Sequence, residues 1–287
     1  MAIKLGGGGS TSQINEIIAL NSTTSTVTLA DGRVYLKGGV VETDPSVYSN
    51  AATSKGYSGT SFSVASQDTF PRGITWDGTH FWVVGSTTDF VYKYTAAGVY
   101  TNTSINLNQT TSNPSDITWD GTHFWVIDGN FDNIFKYTAA GVYTGTNFSS
   151  TAQETTPLGI TWDGTHLWVV GQSTDKAYKY NSSGVYQNVS FSVAAQATVP
   201  NGIAWDGTYF WVTGGATGRV YKYNASGLYQ NESFSVTAQE NSARGIVSDG
   251  TSLWVVGNNT KAVYKYIDVV GVTASTSFGG QNYMRVV

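Results

Sequence analysis

The chain has 287 residues, of which 12% are charged and 14% aromatic, with 15 Lys and Arg against 19 Asp and Glu. A formal charge of −4 with no basic cluster argues against a nucleic-acid partner, since holding a phosphate backbone needs concentrated positive charge. There is no cysteine, which excludes a disulfide-stapled scaffold, and the lack of an apolar leader or an 18-residue apolar run predicts neither a signal peptide nor membrane insertion.

Residues 1–12 carry Gly6-Gly-Gly-Gly-Ser-Thr-Ser12, a flexible stretch that reads either as an anchor ordering against a partner or as a frayed terminus. Residues 13–56 read as a small β-rich module, with runs at Ile17–Leu20, Val27–Leu29 and Arg33–Leu36 turning at Asp31-Gly32.

Residues 57–280 are an array. Gly73-Ile-Thr-Trp-Asp-Gly-Thr-His-Phe-Trp-Val-Val84 returns at 116–127, 159–170, 202–213 and, altered, at 245–256. In each unit the run before Asp-Gly alternates, the run after it is apolar throughout, Val91-Tyr-Lys-Tyr94 makes a third run, and a polar run at 103–107 makes a fourth. Four strands per repeat, here a to d, with no helical periodicity, predict an all-β chain built as a β-propeller. Five blades are favoured: Thr60-Ser-Phe-Ser-Val64 resembles the d run Val189–Val193 and could close the ring. A d strand at Ser277-Phe278 is the competing closure, and the echo around Asp31-Gly32 leaves a sixth blade open. Residues 281–287 read as a C-terminal strand beyond the propeller.

The repeated residues read as architecture. Nine Trp fall on two repeat positions, as core packing requires. The Asp of Trp-Asp-Gly suits a type I′ turn. His80, His123 and His166 share one position, and neighbouring sheets lie about 10 Å apart, too far for a common metal whose ligands approach to about 2 Å. Lys93, Lys136, Lys179, Lys222 and Lys265 read as solvated or sheet-edge positions. Asp128-Gly-Asn-Phe-Asp132 opens like a calcium loop, but Asn133 and Ala139 replace the glycine and glutamate such a loop needs. No metal and no cofactor are predicted. No nucleophile elbow or catalytic triad stands apart from the repeats, so no catalytic residue is assigned and the chain is expected not to be an enzyme.

Function is sought where the repeats diverge. The a–b and c–d turns share one face of the disc and barely vary, whereas the b–c and d–a loops share the other and vary freely. The candidate ligand-binding face comprises Arg72, Asp89, Phe90, Asp116, Asp128, Phe131, Asp132, Asp175, Arg219, Arg244 and Lys261, with an acidic side (Asp89, Asp132, Asp175) facing a basic one (Arg219, Lys261, Arg244) and Phe90 and Phe131 as flat platforms.

Two resemblances add to this reading. The repeats of 57–280 resemble the blades of NHL and WD-type propellers, although the Asp here sits in the a–b turn and no Gly-His pair opens the blade. Met1-Ala-Ile-Lys-Leu-Gly-Gly-Gly-Gly-Ser10, Ala30-Asp-Gly-Arg-Val-Tyr-Leu-Lys-Gly-Gly39 and Thr43-Asp-Pro-Ser-Val-Tyr-Ser-Asn-Ala51 resemble the N-terminal modules of tailed-bacteriophage tail and fibre proteins. That likeness implies a virion structural protein of tail-fibre or receptor-binding type. Its N-terminus would contact other virion proteins, its propeller a host-surface glycan or protein, and several copies of the chain would assemble together. A head-fibre or scaffold protein without a receptor is one alternative. The other is a polysaccharide-degrading enzyme, for which Asp89, Asp116, Asp128 and Asp132 are the carboxylates to test.

Overall fold

The computed structural model describes residues 53–270 apart from Gln109, together with the strand segments 26–28, 34–37, 277–278 and 281–286. Contacts divide the chain into two units, Lys55–Ile267 and Met1–Ser54 with Asp268–Val287. In the smaller unit β1 (Thr26–Thr28) and β2 (Val34–Lys37) pair antiparallel. The rest of the echo around Asp31-Gly32, the run Ile17–Leu20 and the segment 1–12 lie outside the described residues.

The larger unit is a five-bladed propeller. The next strand, β3 (Thr53–Ser63), is followed by blade 1: β4 (Pro71–Trp76), β5 (His80–Gly85), β6 (Phe90–Thr95) and β7 (Tyr100–Asn106). Blade 2 is β8 (Pro114–Trp119), β9 (His123–Asp128), β10 (Asn133–Thr138) and β11 (Tyr143–Ser149). Blade 3 is β12 (Pro157–Trp162), β13 (Leu167–Gly171), β14 (Lys176–Tyr180) and β15 (Tyr186–Ser192). Blade 4 is β16 (Pro200–Trp205), β17 (Tyr209–Gly214), β18 (Arg219–Asn224) and β19 (Tyr229–Ser235). Blade 5 has β20 (Ala243–Ser248), β21 (Leu253–Gly257) and β22 (Ala262–Val270), and its outer strand is β3 from the other end of the chain.

The spare strand therefore closes the ring. The competing d strand is β23 (Ser277–Phe278), which pairs instead with β24 (Gln281–Val286), and β24 pairs with β2. That pairing moves the ring boundary from the expected 57–280 to Lys55–Ile267 and joins the C-terminal strand to the N-terminal module. There is no gap for a sixth blade: a Cβ placed on Gly245 of β20 would stand 2.8 Å from Gly73 Cα of β4, so the last inner strand abuts the first.

Strand b is buried on both faces, as its unbroken apolar run demands. Trp82, Trp125, Trp168, Trp211 and Trp254 are buried there, and Trp82, Trp168 and Trp254 reach the next blade, with ring centroids 4.8 Å from Phe124, 4.9 Å from Phe210 and 4.7 Å from Phe81. The strand-a tryptophans are only half-buried: Trp76, Trp119 and Trp205 lie 4.6 Å from the ring of Phe81, Phe124 and Phe210, the second residue of their own strand b.

The repeated Asp does more than turn the chain. Its neighbour Gly78 has φ +94, but Asp77 itself does not enter the left-handed region, so the turn is not type I′. Instead Asp77 accepts the N–H groups of Thr79 and His80 through Oδ1 and the indole N–H of Trp82 through Oδ2, at 2.8, 2.7 and 2.7 Å. The same Asp-to-Trp bond recurs at 2.7, 2.7, 2.6 and 2.7 Å in the other four blades. On the outer face of each tryptophan lies the cross-strand lysine, with Nζ 4.9–5.5 Å from the indole centroid in all five blades. These lysines are thus cation–π partners rather than merely solvated side chains.

Candidate functional site: the loop face

The face carrying the b–c and d–a loops is organised around buried carboxylates. Asp68 in blade 1 receives the N–H of Phe70, the N–H of Thr88 and the Thr88 hydroxyl, stapling the d–a loop to the b–c loop. Glu154 and Glu240 do the same in blades 3 and 5. Room comes from a glycine at the end of strand b: a Cβ on Gly85, Gly171 or Gly257 would stand 2.1–2.5 Å from the nearest atom of those side chains. Blade 2 inverts the arrangement. Thr111 occupies the loop position and Asp128 the glycine position, and the Asp128 carboxylate takes the N–H groups of Ser112, Asn130 and Phe131. Blade 4 has Ala197 and Gly214 there, with no carboxylate.

The supposed acidic arc has a backbone cause. Asp89, Asp132, Asp175, Gly218 and Lys261 all adopt left-handed φ of 52–59°, which Asp tolerates better than most residues and Gly best of all. Their carbonyls receive the N–H groups of Leu107, Ser150, Val193, Val236 and Val64, which fix the end of each outer strand. Burial, then the neighbouring carboxylates Asp128 and Asp68, raise the Asp89 carboxyl above its ordinary range; burial, then Glu154 and Asp128, do the same for Asp132.

The remaining predicted residues separate into distinct places. Phe131 is 61% exposed on its loop, whereas Phe90 is half-buried and stacks on Tyr92 at 6.0 Å. Arg219 turns to its own outer strand, donating through Nη2 to the Ser233 hydroxyl at 2.8 Å and carbonyl at 3.2 Å. The Lys261 ammonium donates to the Asn259 carbonyl at 2.8 Å. Two residues expected to present ligand groups on this face do not. Asp128 is not a loop ligand: it is fully buried, and three backbone N–H groups occupy its oxygens. Nor does Asp116 join the loops.

Asp116 sits on β8 at the position that is glycine in the other blades, namely Gly73, Gly159, Gly202 and Gly245. Those glycines let the five inner strands converge: a Cβ on Gly159 would stand 2.7 Å from Gly202 Cα. The one side chain at this level is 1% exposed and accepts the N–H groups of Ile117 and Ile160, each at 2.9 Å. Burial pushes the Asp116 carboxyl well above its ordinary range, and bonds from the Ile160, Ile117 and Ile74 N–H groups only partly offset it.

One residue outward along each inner strand, Arg72, Ser115, Leu158, Asn201 and Arg244 line a small axial depression, one from each blade. Sequence reasoning singled out the two arginines and missed the other three, although the 43-residue register connects all five. Arg72 Nε donates to the Ser86 hydroxyl at 3.2 Å, and Asn201 donates to the Ala243 carbonyl and accepts from Gln172. The Ser115 hydroxyl and Arg244 Nε are buried without a partner.

The described residues contain no group of three or more His, Cys, Asp or Glu placed to hold a metal; His80, His123 and His166 each lie 3.8–3.9 Å from the Asp of their own turn.

Neither a family model nor a curated protein matches the chain. Among solved structures it is similar to glutaminyl cyclase of Myxococcus xanthus, with TM-score 0.61 and 12% identity over 76% of this chain and 98% of that one. Weaker likenesses are to virginiamycin B lyase from Staphylococcus aureus, at TM-score 0.46 and 18% identity over 88% and 84% of the two chains, and to a nidogen/laminin complex, at 0.49 and 16% over 69% and 75%. The likeness is one of fold. It bears out the propeller, while the resemblance to NHL and WD-type blades stands at that level alone. It also corrects the expectation that the chain is not an enzyme, because the propeller with TM-score 0.61 is an enzyme and this architecture therefore gives no ground for excluding catalysis.

Proposed function

We propose that the chain is a bacteriophage virion protein of tail-fibre or receptor-binding type that presents the loop face of its propeller to a host-surface glycan. The observation that carries this reading is the contrast between the two faces. The a–b turns keep the same Asp-to-Trp bond in all five blades, while the b–c loops read Ser-Thr-Thr-Asp, Gly-Asn-Phe-Asp, Gln-Ser-Thr-Asp, Gly-Ala-Thr-Gly and Asn-Asn-Thr-Lys. Packing and turn geometry hold the first set, whereas in the second the carboxylate staples and the left-handed fourth position fix the backbone and leave the first two side chains of each loop to vary, as a ligand-shaped surface does. The likeness of segments 1–10, 30–39 and 43–51 to tail-protein N-termini supports a virion setting, with particle contacts at the N-terminus.

The test has two arms. An antibody against residues 55–267 should decorate phage particles in immuno-electron microscopy. The purified full chain should bind a subset of bacterial surface polysaccharides on an array, and Arg219→Ala with Lys261→Asn, which keeps the left-handed backbone accessible, should weaken binding at least tenfold. Thr79→Ala with Thr122→Ala on the opposite face should leave it intact. Unlabelled particles sink the virion setting; an array with no bound glycan, or loss only in the opposite-face pair, sinks recognition by this face.

A further inference from the structure

We infer that the axial depression is a binding site for a single oxyanion, a carboxylate or phosphate group, clasped between Arg72 and Arg244 with the Ser115 hydroxyl as a third donor. The inference rests on the reading of this face as the recognition face and names the chemical group held at its centre. Three observations carry it. Arg72 and Arg244 come from blades 1 and 5, which the closure of the ring makes neighbours, and both line the depression. Neither guanidinium has a carboxylate within ion-pair distance among the described residues. Glu240 lies close enough to act on Arg244, but its oxygens are taken by the Ser242 N–H and by the Thr260 N–H and hydroxyl. Ser115 is 4% exposed and lines the same depression with its hydroxyl unpartnered, as Arg244 Nε is.

Two half-buried guanidinium groups side by side repel each other and have lost hydration. Burial and the Arg244 charge both act to lower the Arg72 pKa, the sense expected where positive charge is crowded without an anion. A bound oxyanion relieves that crowding and supplies acceptors that Arg244 Nε and Ser115 Oγ lack. Guanidinium forks match the two oxygens of a carboxylate or phosphate, which a lysine pair would not do. The repeat agrees: positions flanking the ring are nearly constant, yet this one is Arg, Ser, Leu, Asn and Arg. Such a site recognises one charged substituent off the symmetry axis rather than five equivalent ones.

Thermal unfolding of the full chain should be followed during titration with sodium glucuronate, inorganic phosphate and neutral glucose at low salt. The expected result is a concentration-dependent rise in Tm with glucuronate or phosphate, none with glucose, and suppression by added salt. Arg72→Gln with Arg244→Gln should weaken the apparent affinity at least tenfold, Ser115→Ala by a few-fold, and Lys176→Gln on the same face not at all. Arg72→Lys with Arg244→Lys keeps the charge and removes the fork, so it should retain only part of the effect and guards against misfolding of the neutral pair. Response to phosphate alone assigns the site to phosphate groups, and response to glucuronate to sugar acids. No response to either anion, equal response to glucose, or an unaltered response in the neutral pair overturns the site. Anion binding together with a blank polysaccharide array would leave the site standing and remove the host-glycan reading.

Discussion

The indole N–H of Trp168 donates to the Asp163 carboxylate at 2.7 Å, and the other oxygen of that carboxylate holds the N–H groups of Thr165 and His166. A single side chain thus fastens a turn to the core of its blade. Truncating Trp168 to Ala should cost about 3–5 kcal/mol, as for a large buried aromatic. Removing the acceptor, Asp163→Ala, should cost about 1.5–3 kcal/mol, since the bond is charge-assisted and the indole donor is left buried. In a double-mutant cycle by denaturant unfolding the two losses should fall short of additivity. Strict additivity would show that the bond contributes nothing.

The same carboxylates set a pH dependence. Burial pushes Asp163 up, but the Trp168 indole, the Thr165 and His166 N–H groups and the Thr165 hydroxyl outweigh it and hold it below its ordinary range; Asp120 and Asp249 behave alike. Their contribution is present above the unfolded value of about 3.9 and is lost as pH falls through the lower folded value. Asp116 has the opposite sign: its contribution is complete below the unfolded value and lost as pH rises through the raised folded one. Melting curves from pH 3 to 8 should therefore show the penalty of Asp163→Asn shrinking in acid, while Asp116→Asn gains on the wild type as pH rises. Parallel curves for the two variants would contradict this.

Blade 4 offers a gain of stability. Ala197 stands where blades 1, 3 and 5 carry Asp68, Glu154 and Glu240, yet Gly214 keeps the space open and Thr217 stands where Thr88 does in blade 1. Ala197→Asp should recreate the staple and raise Tm, by an amount equivalent to about 1 kcal/mol after desolvation. A fall in Tm would show that Thr217, which now donates to the Gly214 carbonyl, does not re-orient.

The closing strand should be indispensable. Deleting residues 1–63 removes β3 and strips Phe62 from the rings of Trp254, Phe81 and Tyr94, now 5.4–6.0 Å away. It also bares the edge of β22, so the truncated chain should aggregate or melt well below the full one. Unchanged melting would mean another segment seals blade 5.

Much of the fold was legible because a 43-residue period, an alternating run and an apolar run leave few alternatives to blades. The site was less legible, because one residue type serves different ends. Asp89, Asp132 and Asp175 look like a charged arc, but their shared left-handed backbone explains them, as Gly218 in the same register indicates. Asp116 looks like a loop charge only when its register with four glycines is overlooked. Conversely, Ser115, Leu158 and Asn201 carry no chemical signature alone, and only the closed ring brings them beside two arginines.

Closure by β3 also fixes an order of events. The sealing strand is made first and its partners β20–β22 last, so at synthesis rates of about 5–20 residues per second it waits on the order of 10–40 s for a mate. Until then the nascent product is an open arc with one strand adrift, and on a crowded polysome the nearest vacant edge can belong to another chain. A fraction of the protein made at high expression should therefore emerge as dimers that have exchanged their first strands, each ring sealed by its neighbour.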